Sequence, residues 1–160
     1  MKNLSIICGL LLLSVSASAQ SIRKIKITDL EQTVQESTTP LIVNFWATFC
    51  IPCIEEIPYF QQQVAAHKKD SVQLLLVSLD LPDEYPDGIS RFMKKRKITA
   101  PVVWLNETNA DYFCPKVDSN WSGAIPATLF VNNARNYRRF HEEQLSEAQL
   151  IKEMKMMLGQ

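Results

Sequence analysis

The stretch that decides the fold is Asn44-Phe45-Trp46-Ala47-Thr48-Phe49-Cys50-Ile51-Pro52-Cys53. Its first residues continue an apolar run that begins at Leu41, as is typical of a strand buried on both faces. Pro52 fits the first turn of a helix, because the N–H that proline lacks would have no partner there. The sequence therefore predicts a strand that leads directly into a helix, with Cys50 and Cys53 at the junction.

The two cysteines at this junction predict dithiol–disulfide exchange. The positive end of the helix dipole and the free backbone N–H groups favour a thiolate over a thiol. A thiolate is a nucleophile, and a second thiol one turn later can resolve the mixed disulfide that forms. We therefore predict that Cys50, exposed at the start of the helix, is the attacking thiol and that Cys53 is the resolving thiol.

Two other uses of the pair are half of a zinc site and an inert disulfide. Zinc needs about four ligands, and the remaining candidates, Cys114, His67 and His141, form no second paired spacing. Haem attachment would need a histidine directly after Cys53, where Ile54 stands. No metal and no cofactor are therefore expected.

The segment from Phe45 to Pro58 resembles the active-site segment of the thioredoxin-like superfamily. It is most similar to the exported TlpA/ResA-like branch of thiol–disulfide oxidoreductases, whose pattern continues past the second cysteine to a glutamate and a proline. Glu56 and Pro58 occupy these two places. Far downstream, the segment from Gly123 to Val131 resembles the part of that fold that carries a cis-proline and then enters a core strand.

The resemblance implies an α/β thioredoxin fold, with a central mixed β-sheet flanked by helices on both faces. The region between Val72 and Trp121 is longer than a minimal thioredoxin needs, which matches the strand–helix insert of the TlpA/ResA-like branch. Hydrophobic patterns and turn signals agree with alternating elements. Strands are predicted at 22–27, 40–47, 72–79, 101–105, 127–131 and 136–141, and helices from Thr28 or Asp29 to Gln35, from Cys50 to about His67, around Phe92, around Phe113 and from Ser146 onward.

By resemblance, Pro126 is the cis-proline that lies against the Cys50–Cys53 pair; the alternative is an ordinary trans proline before a strand. A cis-proline would leave the backbone of Ile125 free to pair with an extended substrate segment. At Phe49 the family usually has tryptophan, so an apolar shield remains while the indole N–H donor is lost. The predicted substrate-binding residues are Phe49, Ile51, Pro52, Ile125 and Pro126.

Glu56 is the third predicted catalytic residue. It lies three residues after Cys53, so the two side chains occupy neighbouring positions on one helix face. If that face is buried, desolvation raises the carboxyl pKa and lets Glu56 exchange a proton with Cys53. Otherwise Glu56 is a solvated helix glutamate, and Glu55 is its solvent-facing neighbour. By resemblance, Asn44 stands where thioredoxins usually carry a buried aspartate and the ResA-like branch commonly carries asparagine, which shifts proton handling toward Glu56.

Residues 1–19 are predicted to be a cleavable signal peptide, which leaves 20–160 as a single thioredoxin-like domain. Lys2 precedes an apolar stretch and the small-residue cleavage signature Ala17-Ser18-Ala19. The stretch is shorter than the roughly 20 residues that span a bilayer; an uncleaved anchor is the alternative. A periplasmic or otherwise exported protein without stable membrane insertion is expected, in a compartment where disulfides persist. The 17 basic and 17 acidic residues give no surplus charge for binding nucleic acid.

The predicted function is reduction of disulfides in exported proteins. Ile51 and Pro52 carry no charge that would stabilise the thiolate, which indicates a moderately reducing dithiol. By resemblance, the substrates include apocytochrome c, as in cytochrome c maturation, or other envelope proteins, and a membrane-bound thiol donor supplies the electrons; a monomer is expected. The alternatives are a disulfide oxidase or isomerase, a dithiol metal-binding module, and a non-catalytic interaction scaffold.

Two predictions concern residues outside the motif. Cys114 is interpreted as a small buried hydrophobic residue, with a third redox thiol as the alternative. Trp46, Trp104 and Trp121 are interpreted as packing residues, and Trp121, close to the Pro126 loop, is the one best placed to touch a partner.

Overall fold

The computed structural model of the protein describes residues 21–160, so the predicted signal peptide lies outside the described residues. The strands and helices follow in this order: β1 (Arg23–Ile25), α1 (Ile27–Glu36), β2 (Leu41–Trp46), α2 (Ile51–Ala66), β3 (Gln73–Ser78), α3 (Asp87–Arg96), β4 (Val102–Leu105), α4 (Ala110–Val117), β5 (Ala127–Asn132), β6 (Tyr137–His141) and α5 (Glu147–Leu158). Every predicted element is found, with bounds that differ by a few residues.

The strands form one mixed sheet in the order β1-β4-β3-β2-β5-β6. The strands β1, β4, β3 and β2 run parallel to one another. Strand β5 is antiparallel to β2, and β6 is antiparallel to β5. The region between Val72 and Trp121, which is longer than a minimal thioredoxin needs, contains α3 and β4. Strand β4 lies between β1 and β3 in the sheet. The predicted fold and its strand–helix insert are confirmed.

The central strand β2 has apolar cores on both faces. All six of its residues are buried, as the continuous apolar run predicted. Ile42 packs in a core that includes Ile57 of α2 and Met154 of α5. Val43 and Phe45 pack in a second core with the residues of α1 and α4. Because side chains alternate along a strand, Asn44 lies on the same face as Ile42, beneath α2 and α5.

Helix boundaries follow from their capping residues. The prediction that Thr28 or Asp29 caps α1 is wrong: the helix begins after Lys26, and the Asp29 carboxylate accepts the Lys26 N–H at 2.8 Å in the first turn. Ser146 caps α5 as predicted, since its hydroxyl accepts the Gln149 N–H at 3.3 Å. Among residues 21–160, none of the helices combines the length and the apolar composition that crossing a membrane requires.

The topology brings three loops to one edge of the sheet. The parallel strands β2 and β3 end together, where Trp46 pairs with Ser78. Because β5 is antiparallel to β2, it begins at that same edge, where Ala127 pairs with Phe45. The loops that follow β2 and β3 and the loop that precedes β5 therefore meet at this edge. The first of these loops carries Cys50, and the last carries Ile125 and Pro126.

Candidate active site

Cys50 and Cys53 lie at the N-terminus of α2 and form a disulfide, with their Cα atoms 5.3 Å apart. Cys50 is the N-cap residue, and Pro52 occupies the first turn without the loss of a helical hydrogen bond. The backbone N–H of Cys53 donates to the Cys50 sulfur at 3.3 Å. In the reduced protein this N–H and the helix dipole would stabilise negative charge on the Cys50 sulfur. The geometry therefore fits Cys50 as the nucleophile.

The exposure of the two cysteines differs from the prediction in degree. Cys50 keeps 7% of its surface exposed and Cys53 none, so the order is the predicted one, but Cys50 is more buried than expected. The reason is that Cys50 also packs into the core beneath α2. The exposed surface at this point belongs to its neighbours Phe49 and Ile51, which are 66% and 69% exposed.

The Glu56 carboxyl lies in the core beneath α2, as predicted for the face that it shares with Cys53. Asn44 Nδ2 donates to Glu56 Oε1 at 2.7 Å, and the Leu145 backbone N–H donates to Oε2 at 2.9 Å. Burial raises the pKa of Glu56 from 4.5 to about 7, although both hydrogen bonds lower it. Glu56 therefore takes up and releases a proton near neutral pH, whereas Glu55 is exposed.

Asn44 connects Glu56 to strand β5. Its Nδ2 group donates to Thr128 Oγ1 at 3.0 Å as well as to Glu56. Its Oδ1 atom is buried and has no hydrogen-bond partner among residues 21–160. An amide offers both a donor and an acceptor, so rotation of the Asn44 amide would present Oδ1 to the O–H of a protonated Glu56. A second carboxyl at this position would instead repel an ionised Glu56.

The Ile125–Pro126 peptide bond is cis, as the resemblance implied. The backbone N–H and C=O of Ile125 make no hydrogen bond to any of residues 21–160. They are therefore free to pair with an extended segment of another chain. Gly123, two residues before Ile125, has φ +95°, a left-handed conformation that favours glycine. Whether Phe49, Ile51, Pro52, Ile125 and Pro126 bind substrate stays a prediction.

Asp80 fixes the turn that leads to Cys50, and the sequence reasoning missed it. It is 4% exposed. Asp80 Oδ1 accepts the Thr48 backbone N–H at 2.9 Å and the Thr48 hydroxyl at 2.5 Å, and Oδ2 accepts the Ser78 hydroxyl at 2.8 Å. The next residue, Leu81, is 68% exposed. Asp80 lies beside a turn-rich stretch without a spacing signal, so only the parallel pairing of β2 and β3 reveals its contact with Thr48.

Trp121 and Cys114 are core residues. Trp121 is a packing residue, as interpreted from the sequence, because its ring is buried against those of Phe45, Phe113 and Phe140. Cys114 is buried as predicted, and this burial raises the pKa of its thiol to about 11.

In the part of the chain that the structure describes, no three His, Cys, Asp or Glu side chains form a group that could hold a metal ion.

Comparisons with known proteins agree with this arrangement. The sequence profile of the AhpC/TSA family matches residues 12–139. The chain is 33% identical to the thiol-disulfide oxidoreductase ResA of Oceanobacillus iheyensis over an alignment of 114 residues that covers 66% of this chain and 55% of that protein. It is 39% identical to the sporulation thiol-disulfide oxidoreductase A of Bacillus subtilis over 62 residues, which make up 39% of this chain and 38% of that protein.

The matches with these two curated relatives therefore span 38% and 55% of the relatives' own lengths. Among solved structures, the chain is similar to the thioredoxin-related protein from Neisseria meningitidis serogroup B. The two structures superpose with a TM-score of 0.66 at 27% sequence identity, over 79% of this chain and 91% of that chain.

Proposed function

We propose that this chain, which belongs to the AhpC/TSA family, is a thiol–disulfide oxidoreductase that reduces disulfides in other proteins. The observation that carries the proposal is the Cys50–Cys53 disulfide at the N-terminus of α2, with the Cys53 N–H directed at the Cys50 sulfur. The buried Glu56 on the same helix face supplies a group that titrates near neutral pH. A purely structural disulfide would need neither feature.

The reaction proceeds in two exchanges of sulfur partners. In the reduced protein, the Cys50 thiolate attacks one sulfur of the substrate disulfide; a Cys50–substrate bond forms, and the other substrate sulfur leaves as a thiolate that takes up a proton. Cys53 then loses its proton and attacks the Cys50 sulfur. This closes the Cys50–Cys53 disulfide and releases the second substrate thiolate. The substrate gains two electrons, and the dithiol loses two.

Glu56 is proposed to accept the proton of Cys53 in the second exchange. A general base works best when its pKa lies near the working pH, and burial raises the pKa of Glu56 to about 7. Its carboxyl is held in one position by the hydrogen bonds from Asn44 and Leu145, on the helix face that it shares with Cys53. In the reverse direction, the protonated Glu56 would return the proton to Cys53.

The proposed substrate is an extended polypeptide segment that carries a cystine. Phe49 and Ile51 are largely exposed on either side of Cys50, and Pro52 follows in the first turn. Ile125 offers a free backbone N–H and C=O beside the cis bond to Pro126. An apolar side chain of the substrate near its cystine would cover Phe49 and Ile51. The backbone of the substrate segment would pair with Ile125 as an added strand.

The proposed direction and location are supported by features of the sequence. Ile51 and Pro52 place no positive charge between the cysteines, which favours a reducing dithiol over a disulfide donor. We propose that residues 1–19 are removed and that a single domain, residues 20–160, acts as a monomer in the periplasm or another exported compartment. Its substrates would be exported proteins, such as those of cytochrome c maturation, and a membrane thiol protein would re-reduce it.

Reduction of insulin disulfides in the presence of dithiothreitol tests the activity. The wild-type protein and Cys114→Ser, the matched control, should accelerate insulin reduction, whereas Cys50→Ser should not. Cys53→Ser should accumulate a mixed disulfide with its target, which mass spectrometry identifies. An equal rate with wild type and Cys50→Ser would remove the enzymatic function.

Equilibration with glutathione tests the direction, because a strongly oxidising potential would indicate an oxidase instead. A metal titration followed by mass spectrometry distinguishes a reductase or an oxidase from a protein that carries metal on its dithiol.

A further inference from the structure

Two backbone N–H groups of the loop before Pro126 donate to one carboxylate, that of Glu142. Glu142 Oε1 accepts the backbone N–H of Ser122 and that of Ala124, each at 3.0 Å. It also accepts a short hydrogen bond from the Ser122 hydroxyl, and Oε2 accepts the Ser122 N–H at 3.2 Å. No other residue of the described chain accepts a hydrogen bond from these two backbone groups.

This loop ends at Ile125, the residue with the free backbone. On its inner side it is fixed by the Trp121 indole, which donates to the Ala124 carbonyl at 2.9 Å. Gly123, between Trp121 and Ala124, adopts φ +95°. Glycine has no Cβ and can adopt many other backbone conformations, so the residue itself does not fix the loop. The outer side of the loop therefore depends on Glu142 for its position.

Glu142 follows directly on β6 and is three residues before Leu145, whose N–H binds Glu56. The short segment 142–145 thus contacts both parts of the site: the acid beneath α2 and the loop that presents Ile125. The hydrogen bond from Ser122 lowers the pKa of Glu142, so its carboxylate is charged at neutral pH and is a strong acceptor.

We propose that Glu142 is a positioning residue for the polypeptide substrate: it holds the loop 122–125 so that Ile125 can pair with the substrate backbone. This inference rests on the proposed function. Without the carboxylate the loop would sample several conformations, and only a fraction would present Ile125 correctly. The apparent affinity for a substrate falls in proportion to that fraction, while the exchange of sulfur partners after binding is unchanged.

The variants separate charge, hydrogen bonding and position. Glu142→Ala removes all the acceptors, whereas Glu142→Gln keeps the carbonyl oxygen at the Oε1 position that accepts three of the four hydrogen bonds. Glu143→Ala is the matched control, because Glu143 is the next residue, is exposed and makes no hydrogen bond or ion pair within the described residues. Each variant is measured with insulin and with DTNB, a small aromatic disulfide that does not need backbone pairing.

With insulin, Glu142→Ala should raise KM about 10-fold at unchanged kcat, which corresponds to a competent fraction of about one tenth. Glu142→Gln should stay within about threefold of the wild type, and Glu143→Ala should be unchanged. The rate constant of the reduced protein with DTNB should be the same for all four proteins. Amide hydrogen exchange at Ser122 and Ala124 should be faster in Glu142→Ala alone.

An unchanged KM in Glu142→Ala would overturn the proposal, as would a parallel loss with DTNB, which would place the defect at Cys50 itself. A wild-type protein that reduces DTNB but not insulin would overturn the proposed function and this inference with it. Wild-type activity on insulin with no effect of Glu142→Ala would overturn this inference alone.

Discussion

Replacement of Glu56 by glutamine should make the stability of the protein less dependent on pH. Burial raises the pKa of this carboxyl from 4.5 to about 7, which means that the fold tolerates the neutral form better than the charged one. At about 1.36 kcal/mol for each pH unit, this difference amounts to about 3 kcal/mol of unfolding free energy. Glutamine has nearly the same shape and never ionises.

The sign of the effect follows from the two states of the carboxyl. Below its unfolded-state pKa of 4.5, Glu56 is protonated in both the folded and the unfolded chain. As the pH rises from there, the unfolded chain releases the proton first, so the folded state loses relative stability. The loss is complete above the folded-state pKa of about 7. The wild type should therefore lose about 3 kcal/mol in this window, and Glu56→Gln should not.

Denaturant unfolding of the oxidised proteins at several pH values between about 4 and 8 measures this difference. Glu55→Gln, an exposed neighbour on the same helix, is the control and should follow the wild type. The variant Glu56→Gln should remain folded, because rotation of the Asn44 amide lets its unpaired Oδ1 accept the new N–H. A constant difference between wild type and Glu56→Gln across this range would refute the reasoning about burial.

The same variant tests the proposed proton transfer. Glu56→Gln should slow thiol exchange with a disulfide substrate near neutral pH, because the resolving thiol of Cys53 loses its base. Stopped-flow exchange rates over a pH series measure the effect. Equal rates for both proteins at every pH would remove Glu56 from the mechanism, whatever its effect on stability.

Three further predictions concern single contacts of the site. Asn44→Leu removes a hydrogen bond that lowers the pKa of Glu56, so carbon-13 NMR should place this pKa above about 7; a lower value would contradict the assigned cause. Asp80→Ala leaves three hydrogen-bond donors without their buried acceptor and should lower the unfolding free energy by about 3 kcal/mol in urea, whereas Asp83→Ala in the exposed turn should change it by less than about 0.5 kcal/mol. In reduced protein without residues 1–19, Cys114 should react with DTNB at about pH 8 only after denaturation, because its thiol is buried and its pKa is about 11; three fast thiols would show that it is accessible.

The parts of the site that the sequence could predict are local. The apolar run of β2, the proline at the start of α2 and the spacing of Cys50 and Cys53 all lie within one short stretch, so helix and strand rules apply to them directly. The spacing of three residues places Glu56 on the same helix face as Cys53, but only the structure shows that this face is buried. The cis bond at Pro126 could be predicted only by resemblance, because nothing local distinguishes it from a trans proline.

The parts that could not be predicted depend on contacts between distant segments. Asp80 binds Thr48 because β2 and β3 are parallel neighbours, and Glu142 binds Ser122 because β6 returns beside β5. A carboxylate that is held in this way looks, in the sequence, like any other acidic residue of a turn. The backbone N–H of Leu145 carries no side-chain signal at all.

The low exposure of Cys50 changes how selectivity should be understood. A thiolate on an open surface would react with any disulfide that diffuses to it, at a rate set by its pKa. Here only 7% of Cys50 is exposed, and its neighbours Phe49 and Ile51 carry the accessible surface. The sulfur of a protein substrate reaches Cys50 when the rest of the partner fits over these side chains and along Ile125, whereas a small disulfide such as DTNB needs no such fit. Recognition of the chain around the cystine, and not the acidity of the thiol alone, would then decide which disulfides are reduced.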